Sequence, residues 1–118
     1  MQHILIADDS LTERTHLAQI LEEAGYHVLT ASSGNEAASI ATKKQPDLIF
    51  LDIIMEDGDG YKTCRSLKRD KKTQRIPIIM VSSKSNNVDK KWALQLGASA
   101  YITKPYAAED ILTEIEKI

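Results

Sequence analysis

With 118 residues, of which 42% are apolar and 27% charged, the chain has the size of one ordinary domain, burying roughly two-thirds of the surface its unfolded form exposes. Its 17 acidic and 15 basic side chains leave a net charge of -2 with no basic stripe, so direct binding to DNA or RNA is not expected. The one cysteine, Cys64, excludes an internal disulfide and a cysteine-based zinc cluster, and its ordinary place is as a small residue on a helix. No stretch approaches the roughly 20 apolar residues that a bilayer span requires. Met1-Gln2-His3 carries no cationic leader, so the expectation is a soluble cytoplasmic protein without membrane insertion.

Residues 4–7 read as a short buried strand. Ser10, with Glu13 three residues on, is a capping box opening a helix in which Leu11, Leu17, Ile20, Leu21 and Ala24 recur largely on one face, and Gly25 closes it. A second strand follows at 28–31, and a second helix starts at Ser33 or Gly34 and stops before Pro46. The run Leu48-Ile49-Phe50-Leu51 is apolar on both faces, the mark of a central parallel strand covered by helices on each side. Gly58-Asp59-Gly60 turns the chain into a third helix carrying Tyr61, Cys64, Leu67 and Lys68, and the polar stretch 69–75 leads through Pro77 into a strand at 78–81. A fourth helix is expected from about 86 to 96, closed by Gly97, then a strand at 100–103 and a last helix over 107–117. Five βα units in succession predict an α/β domain with a parallel sheet and right-handed crossovers.

Four of the five apolar runs end on a residue suited to phosphate chemistry: Asp8-Asp9, Asp52, Ser82 and Lys104. On a parallel sheet those ends share the carboxyl edge, where open α/β folds bind ligands. Three carboxylates there repel in pairs by about 1 to 4 kcal/mol at about 4 Å, depending on the effective dielectric, unless a cation sits among them. An all-oxygen site with room for water and phosphate oxygens suits Mg²⁺ better than a softer metal. His3, His16 and His27 make no metal pattern and read as strand-flanking or helix-surface residues. Lys104, set by Pro105, can aim its ammonium over the same edge, where it pairs with Asp52 and then with a phosphoryl oxygen.

In this order and at these positions the residues resemble the receiver domains of two-component response regulators. The resemblance rests on Asp8-Asp9-Ser10, on Leu51 to Met55 with Asp59-Gly60, on Pro77 to Ser83, and on Gly97 to Pro105, pieces that together span nearly the whole chain. It is most similar to the single-domain chemotaxis-type regulators of the CheY kind. The combination of Asp9-Ser10 with Thr12-Glu13-Arg14, then Asp89-Lys90 shortly before Trp92, looks like the receivers of type IV pilus twitching motility.

The resemblance implies a flavodoxin-like (βα)5 three-layer sandwich with a parallel sheet of order 2-1-3-4-5, and one receiver domain over residues 1–118. It makes Asp52 the acceptor of a phosphoryl group from a histidine kinase. Asp9, Asp52 and the backbone carbonyl of Ile54 would hold Mg²⁺, with Asp8 acting through water. Lys104 would neutralise the phosphoryl oxygens and Ser82 hydrogen-bond them. A shift of Ser82 would let Tyr101 change rotamer, carrying the signal to the face formed by the fourth helix, fifth strand and fifth helix, where a downstream protein docks. Such a protein is no enzyme beyond promoting its own phosphorylation and dephosphorylation.

Three positions depart from the family pattern. Glu56 stands where proline is frequent, as a solvated loop residue or an acid that tunes Mg²⁺ affinity. Ile54 and Lys84 occupy positions that in the family influence hydrolysis, and neither orients water as a carboxamide or carboxylate does, so slower self-dephosphorylation than in a fast chemotaxis regulator is expected. Trp92 is expected to pack the fourth helix, or else to report its movement or contact a partner. A dinucleotide or flavin binder would need a glycine fingerprint in place of Asp8-Asp9-Ser10, and a haloacid-dehalogenase-type phosphatase an Asp-x-Asp motif. A receiver fragment of a DNA-binding regulator or hybrid kinase, and an unphosphorylated docking module, remain as alternatives.

Overall fold

The computed structural model describes residues 2–55 and 58–118; Glu56, and with it the departure noted above, lies outside the described residues. Among the described residues, five strands form one parallel sheet: β1 (His3–Ala7), β2 (His27–Ala31), β3 (Leu48–Asp52), β4 (Ile78–Ser82) and β5 (Ala100–Thr103), in the order β2-β1-β3-β4-β5. Helices α1 (Leu11–Glu23), α2 (Gly34–Lys44), α3 (Gly60–Arg69), α4 (Asn87–Gln95) and α5 (Ala108–Glu116) link and follow them. This is the expected flavodoxin-like arrangement.

The alternation of side chains along each strand divides the core in two. Ile4, Ile6, Phe50 and Ile79 face one way and meet Leu17 and Leu21 of α1 and Ile111 and Ile115 of α5. Leu5, Ala7, Ile49, Leu51 and Met80 face the other way and meet Ala37 and Ala41 of α2, Cys64 and Leu67 of α3 and Ala93 of α4. Every residue of β3 and β4 is buried, which is why their sequences show no alternation. No helix among the described residues is long and apolar enough to cross a membrane.

Local chemistry sets the element ends. Ser10 and Ser33 accept the N–H of Glu13 and Glu36 at 3.3 and 3.1 Å, capping α1 and α2. Only half of the expected capping box forms at Ser10, whose own N–H donates to Asp8 Oδ1 at 2.9 Å, freeing the Glu13 carboxylate for another partner. Gly97 closes α4 at a φ of 108°, a backbone that favours glycine. At the end of α2, Gln45 takes a φ of 48° and its amide donates to the carbonyls of Ala41 and Thr42.

Three expectations need correction. Leu11 is 69% exposed and Ala24 is exposed as well, at the first residue and the C-cap of α1, and Leu17 and Leu21 between them carry its buried face. Trp92 does not bury itself under α4: it is 46% exposed and stands edge-on to Tyr61 with ring centres 6.5 Å apart, while Ala93 carries the packing of that helix. Beyond Asp52 the chain makes a two-residue antiparallel ladder, Ile54–Met55 with Gly58–Asp59, where the sequence suggested only a turn. His3 and His27 flank strands as expected, their rings stacked at 5.2 Å, and His16 lies on the surface of α1.

Candidate functional site

The sheet register brings the strand ends together. Asp52 is the last residue of β3, paired with Val81, and Ser82 ends β4 opposite Thr103. The N–H of Asp8 donates to the Ala31 carbonyl at 3.0 Å and that of Lys104 to the Ser82 carbonyl at 2.8 Å, so each ladder runs one residue into the site and fixes the backbone there. Close passage of α3 completes the floor. A Cβ on Gly60 would meet the Asp52 carbonyl oxygen, so only glycine fits.

Asp8, Asp9 and Asp52 each offer a carboxylate oxygen, all within 4.8 Å of one another. Asp8 and Asp52 are buried, 6% and 8% exposed, whereas Asp9 faces solvent and leaves the cluster an open mouth. Lys104 Nζ stands 3.1 Å from Asp8 Oδ2 and 3.1 Å from Asp52 Oδ2. Asp52 Oδ1 accepts the Ile54 N–H at 3.2 Å, which orients the carboxylate and leaves its other oxygen to the ammonium. Arg14 donates to the Asp8 carbonyl at 2.7 Å and steadies the loop between β1 and α1.

The charges are not balanced. Burial, and then repulsion from Asp8, push the Asp52 carboxyl up from 3.8 to about 6, against the pull of Lys104. Burial works against the Lys104 ammonium, but the attraction of Asp52 and Asp8 prevails and raises its pKa. One lysine therefore does not neutralise the cluster. The donor set is all oxygen, and a hard divalent cation is the group it suits.

Ser82 is buried at the same edge, one strand over, its Oγ accepting the Lys84 N–H at 3.1 Å. Tyr101 lies on β5, and its hydroxyl donates to the Lys84 carbonyl at 2.7 Å. Burial raises the Tyr101 phenol pKa, and the Ser82 hydroxyl, near enough to hydrogen-bond it, opposes the shift. Ser82 and Tyr101 thus meet in the loop that follows β4. Ile54 is 54% exposed and the Lys84 side chain is exposed, so both border the mouth without entering it.

Sequence reasoning passed over three residues here. Glu13 Oε2 lies 3.9 Å from Lys104 Nζ and is its third carboxylate. Tyr106 stacks on His16 at 5.7 Å, and burial followed by the charge of Glu13 pushes its phenol up to about 12. With Thr12, Ser83 and Lys104 these side chains line a cleft of about 520 Å³ beside the carboxylates. Arg14 is the third. The available signal was position: the first turn of α1 and the residues after β5 both leave the sheet at its carboxyl edge.

The sequence profile of the response regulator receiver domain matches residues 4–116. The chain is 38% identical over 118 residues to Protein PilH of Pseudomonas aeruginosa, covering all of this chain and 98% of that protein. It is 35% identical over 113 residues to Protein PilG of the same organism, covering 96% of this chain and 84% of the relative. Among solved structures it is similar to chemotaxis protein CheY4 of Vibrio cholerae, with a TM-score of 0.93 at 28% identity, covering 100% and 98% of the two chains. The chain belongs to the response regulator receiver domain family of two-component signalling, as a CheY- and PilH-like member.

Proposed function

We propose that Asp52 is the phosphoryl acceptor, receiving the group from a histidine kinase, and that residues 1–118 act as one receiver domain. The observation that carries this reading is the placement of Lys104 Nζ at 3.1 Å from both Asp8 and Asp52, at the only described cluster of three carboxylates. Asp9, Asp52 and the Ile54 carbonyl would hold Mg²⁺, with Asp8 completing the acidic set around it. Bound there, the cation would offset the repulsion among the carboxylates and screen the incoming phosphoryl oxygens.

The chain's own residues do the rest. The Ile54 N–H holds one Asp52 oxygen, so the other attacks in line with the leaving imidazole nitrogen. Asp52 oxygen forms a bond to phosphorus as the phosphorus–nitrogen bond breaks, and the histidine keeps the electron pair. Lys104 shifts from the carboxylate to a phosphoryl oxygen, and Ser82 turns its hydroxyl from the Lys84 N–H to another. The protein promotes no reaction other than its own phosphorylation and dephosphorylation.

Release of the Ser82 contact alters the Lys84 loop that Tyr101 holds, and the change reaches the α4-β5-α5 face, where a downstream protein docks. Moving from 1:99 to 99:1 between two states requires about 5.5 kcal/mol of differential stabilisation. A dianionic phosphoryl group beside Lys104 is of the right order to supply much of it. The pathway that best fits is chemotaxis or twitching motility in the cytoplasm, given full-length similarity to PilH. Incubation of the wild type and Asp52→Asn with acetyl phosphate and Mg²⁺ tests the assignment: label appears on the wild type alone, and an Asn variant labelled at the normal rate contradicts it.

A further inference from the structure

We infer that the end of the molecule opposite the carboxylate site is a binding site for an acidic peptide segment of a partner protein. Between residues 62 and 75 the chain carries seven Lys or Arg side chains and one acid, Asp70, a local charge of +6; with a total of -2, the remainder carries -8. The near-neutral total conceals this separation. Arg69, Lys71, Lys72 and Arg75 are exposed and, with Gln45 and Gln74, line a cleft of about 690 Å³ where α3 ends and β3 and β4 begin.

Ordinary structural duties use up only part of this charge. The Lys68 ammonium donates to the carbonyls of Gln74 at 3.2 Å and Ile76 at 2.8 Å, tying down the turn before β4. A helix C-terminus presents roughly half a negative charge, so the ends of α2 and α3 together balance about one cation, and four, Lys43, Lys44, Lys68 and Arg69, lie in those last turns. No ion pair among the described residues engages Arg69, Lys71, Lys72 or Arg75. Asp70 is committed to the Lys72 N–H at 2.9 Å. Four like charges thus surround a concavity with no ion-pair partner among the described residues, and the exposed amide of Gln74 is suited to a peptide backbone.

The rest of the surface decides the class of anion. A nucleic acid long enough to gain from counterion release would run past the patch toward the rest of a chain whose net charge there is -8. A flat anionic membrane meets a recess with no exposed apolar side chain among those lining it to insert. A short run of Asp and Glu in an extended segment contacts the cleft alone. This end lies at the amino ends of β3 and β4, the opposite edge of the sheet from Asp52.

Binding of a short fluorescein-labelled oligo-glutamate peptide to the full chain, read by anisotropy, tests the inference, with oligo-glutamine as the neutral counterpart. Oligo-glutamate binds at least tenfold more tightly than oligo-glutamine, and affinity falls as ionic strength rises from about 0.01 to about 0.15 M, where the Debye length shrinks from about 30 to about 8 Å. The variant R69Q/K71Q/K72Q/R75Q loses at least tenfold in affinity with unchanged melting and unchanged labelling by acetyl phosphate, and K71Q/K72Q shows an intermediate loss should the fourfold variant not fold. The control K84Q/K90Q/K91Q/K117Q keeps wild-type affinity. Equal loss in the control, no preference for oligo-glutamate, or tighter binding to single-stranded DNA or to phosphatidylcholine–phosphatidylglycerol vesicles would each overturn the inference.

Discussion

Replacing Asp52 by Asn should stabilise the metal-free protein, although it removes a side chain that makes two close contacts. The Asp52 carboxyl rises from 3.8 to about 6 through burial and then repulsion from Asp8. A rise of about 2 pKa units, at about 1.4 kcal/mol each, means that ionised Asp52 opposes folding by at most about 3 kcal/mol. Solvent enters beside exposed Asp9, and screening there reduces the figure to about 1–2 kcal/mol. Asparagine keeps an Oδ1 acceptor for the Ile54 N–H, and Lys104 keeps Asp8. For a chain of 118 residues the unfolding entropy is about 0.25 kcal/mol/K, so the melting temperature should rise by about 4–8 °C at pH 7.

The sign of the pH dependence follows from the same shift. Below about pH 4 Asp52 is protonated in both folded and unfolded chains, and the two proteins melt alike as far as this group is concerned. As pH rises from about 4 to about 6 the unfolded chain ionises first, the wild type loses stability relative to the variant, and the deficit is complete above about 6. Thermal unfolding followed by circular dichroism, in chelator at both ends of this window, measures the difference. An Asn variant less stable than wild type at pH 7, or a gain as large at pH 4, would refute the electrostatic reasoning.

Gly60→Ala drives a methyl group into the Asp52 carbonyl and should cost about 3 kcal/mol or more, read as a lower urea midpoint at an unchanged slope. Lys104→Met leaves Asp8 and Asp52 without the ammonium at 3.1 Å and should slow labelling by acetyl phosphate about 100-fold, with rates near wild type counting against its role. Because Ile54 and Lys84 border the mouth without a carboxamide or carboxylate, Ile54→Asn and Lys84→Glu should shorten the phosphoryl lifetime in single-turnover decay; unchanged or longer lifetimes would contradict slow self-dephosphorylation.

The sheet was legible because β3 and β4 lie under helices on both faces and therefore read as unbroken apolar runs, and because each strand end carries a distinctive side chain. The carboxylate cluster followed from that parallel geometry with no knowledge of side-chain positions. Glu13 escaped because its sequence context matched a capping box, and only the Asp8 carboxylate taking the Ser10 N–H released it toward Lys104. Tyr106 escaped because nothing in a Lys-Pro-Tyr sequence shows that the ring meets His16 across a cleft. Trp92 misled for the opposite reason: a large apolar residue implies burial, yet small Ala93 lets α4 lie close to the sheet and leaves the indole outside. The basic end was hidden by averaging, since composition reports the sum of charges and not their separation.

The most direct test of the account is to phosphorylate the chain with acetyl phosphate and Mg²⁺, trap the acyl phosphate with borohydride, and locate the reduced residue by peptide mass spectrometry. The account predicts one trapped site, at Asp52, absent without Mg²⁺. A trapped residue at Asp8 or Asp9, or none at Asp52 under conditions that label the protein, would contradict it.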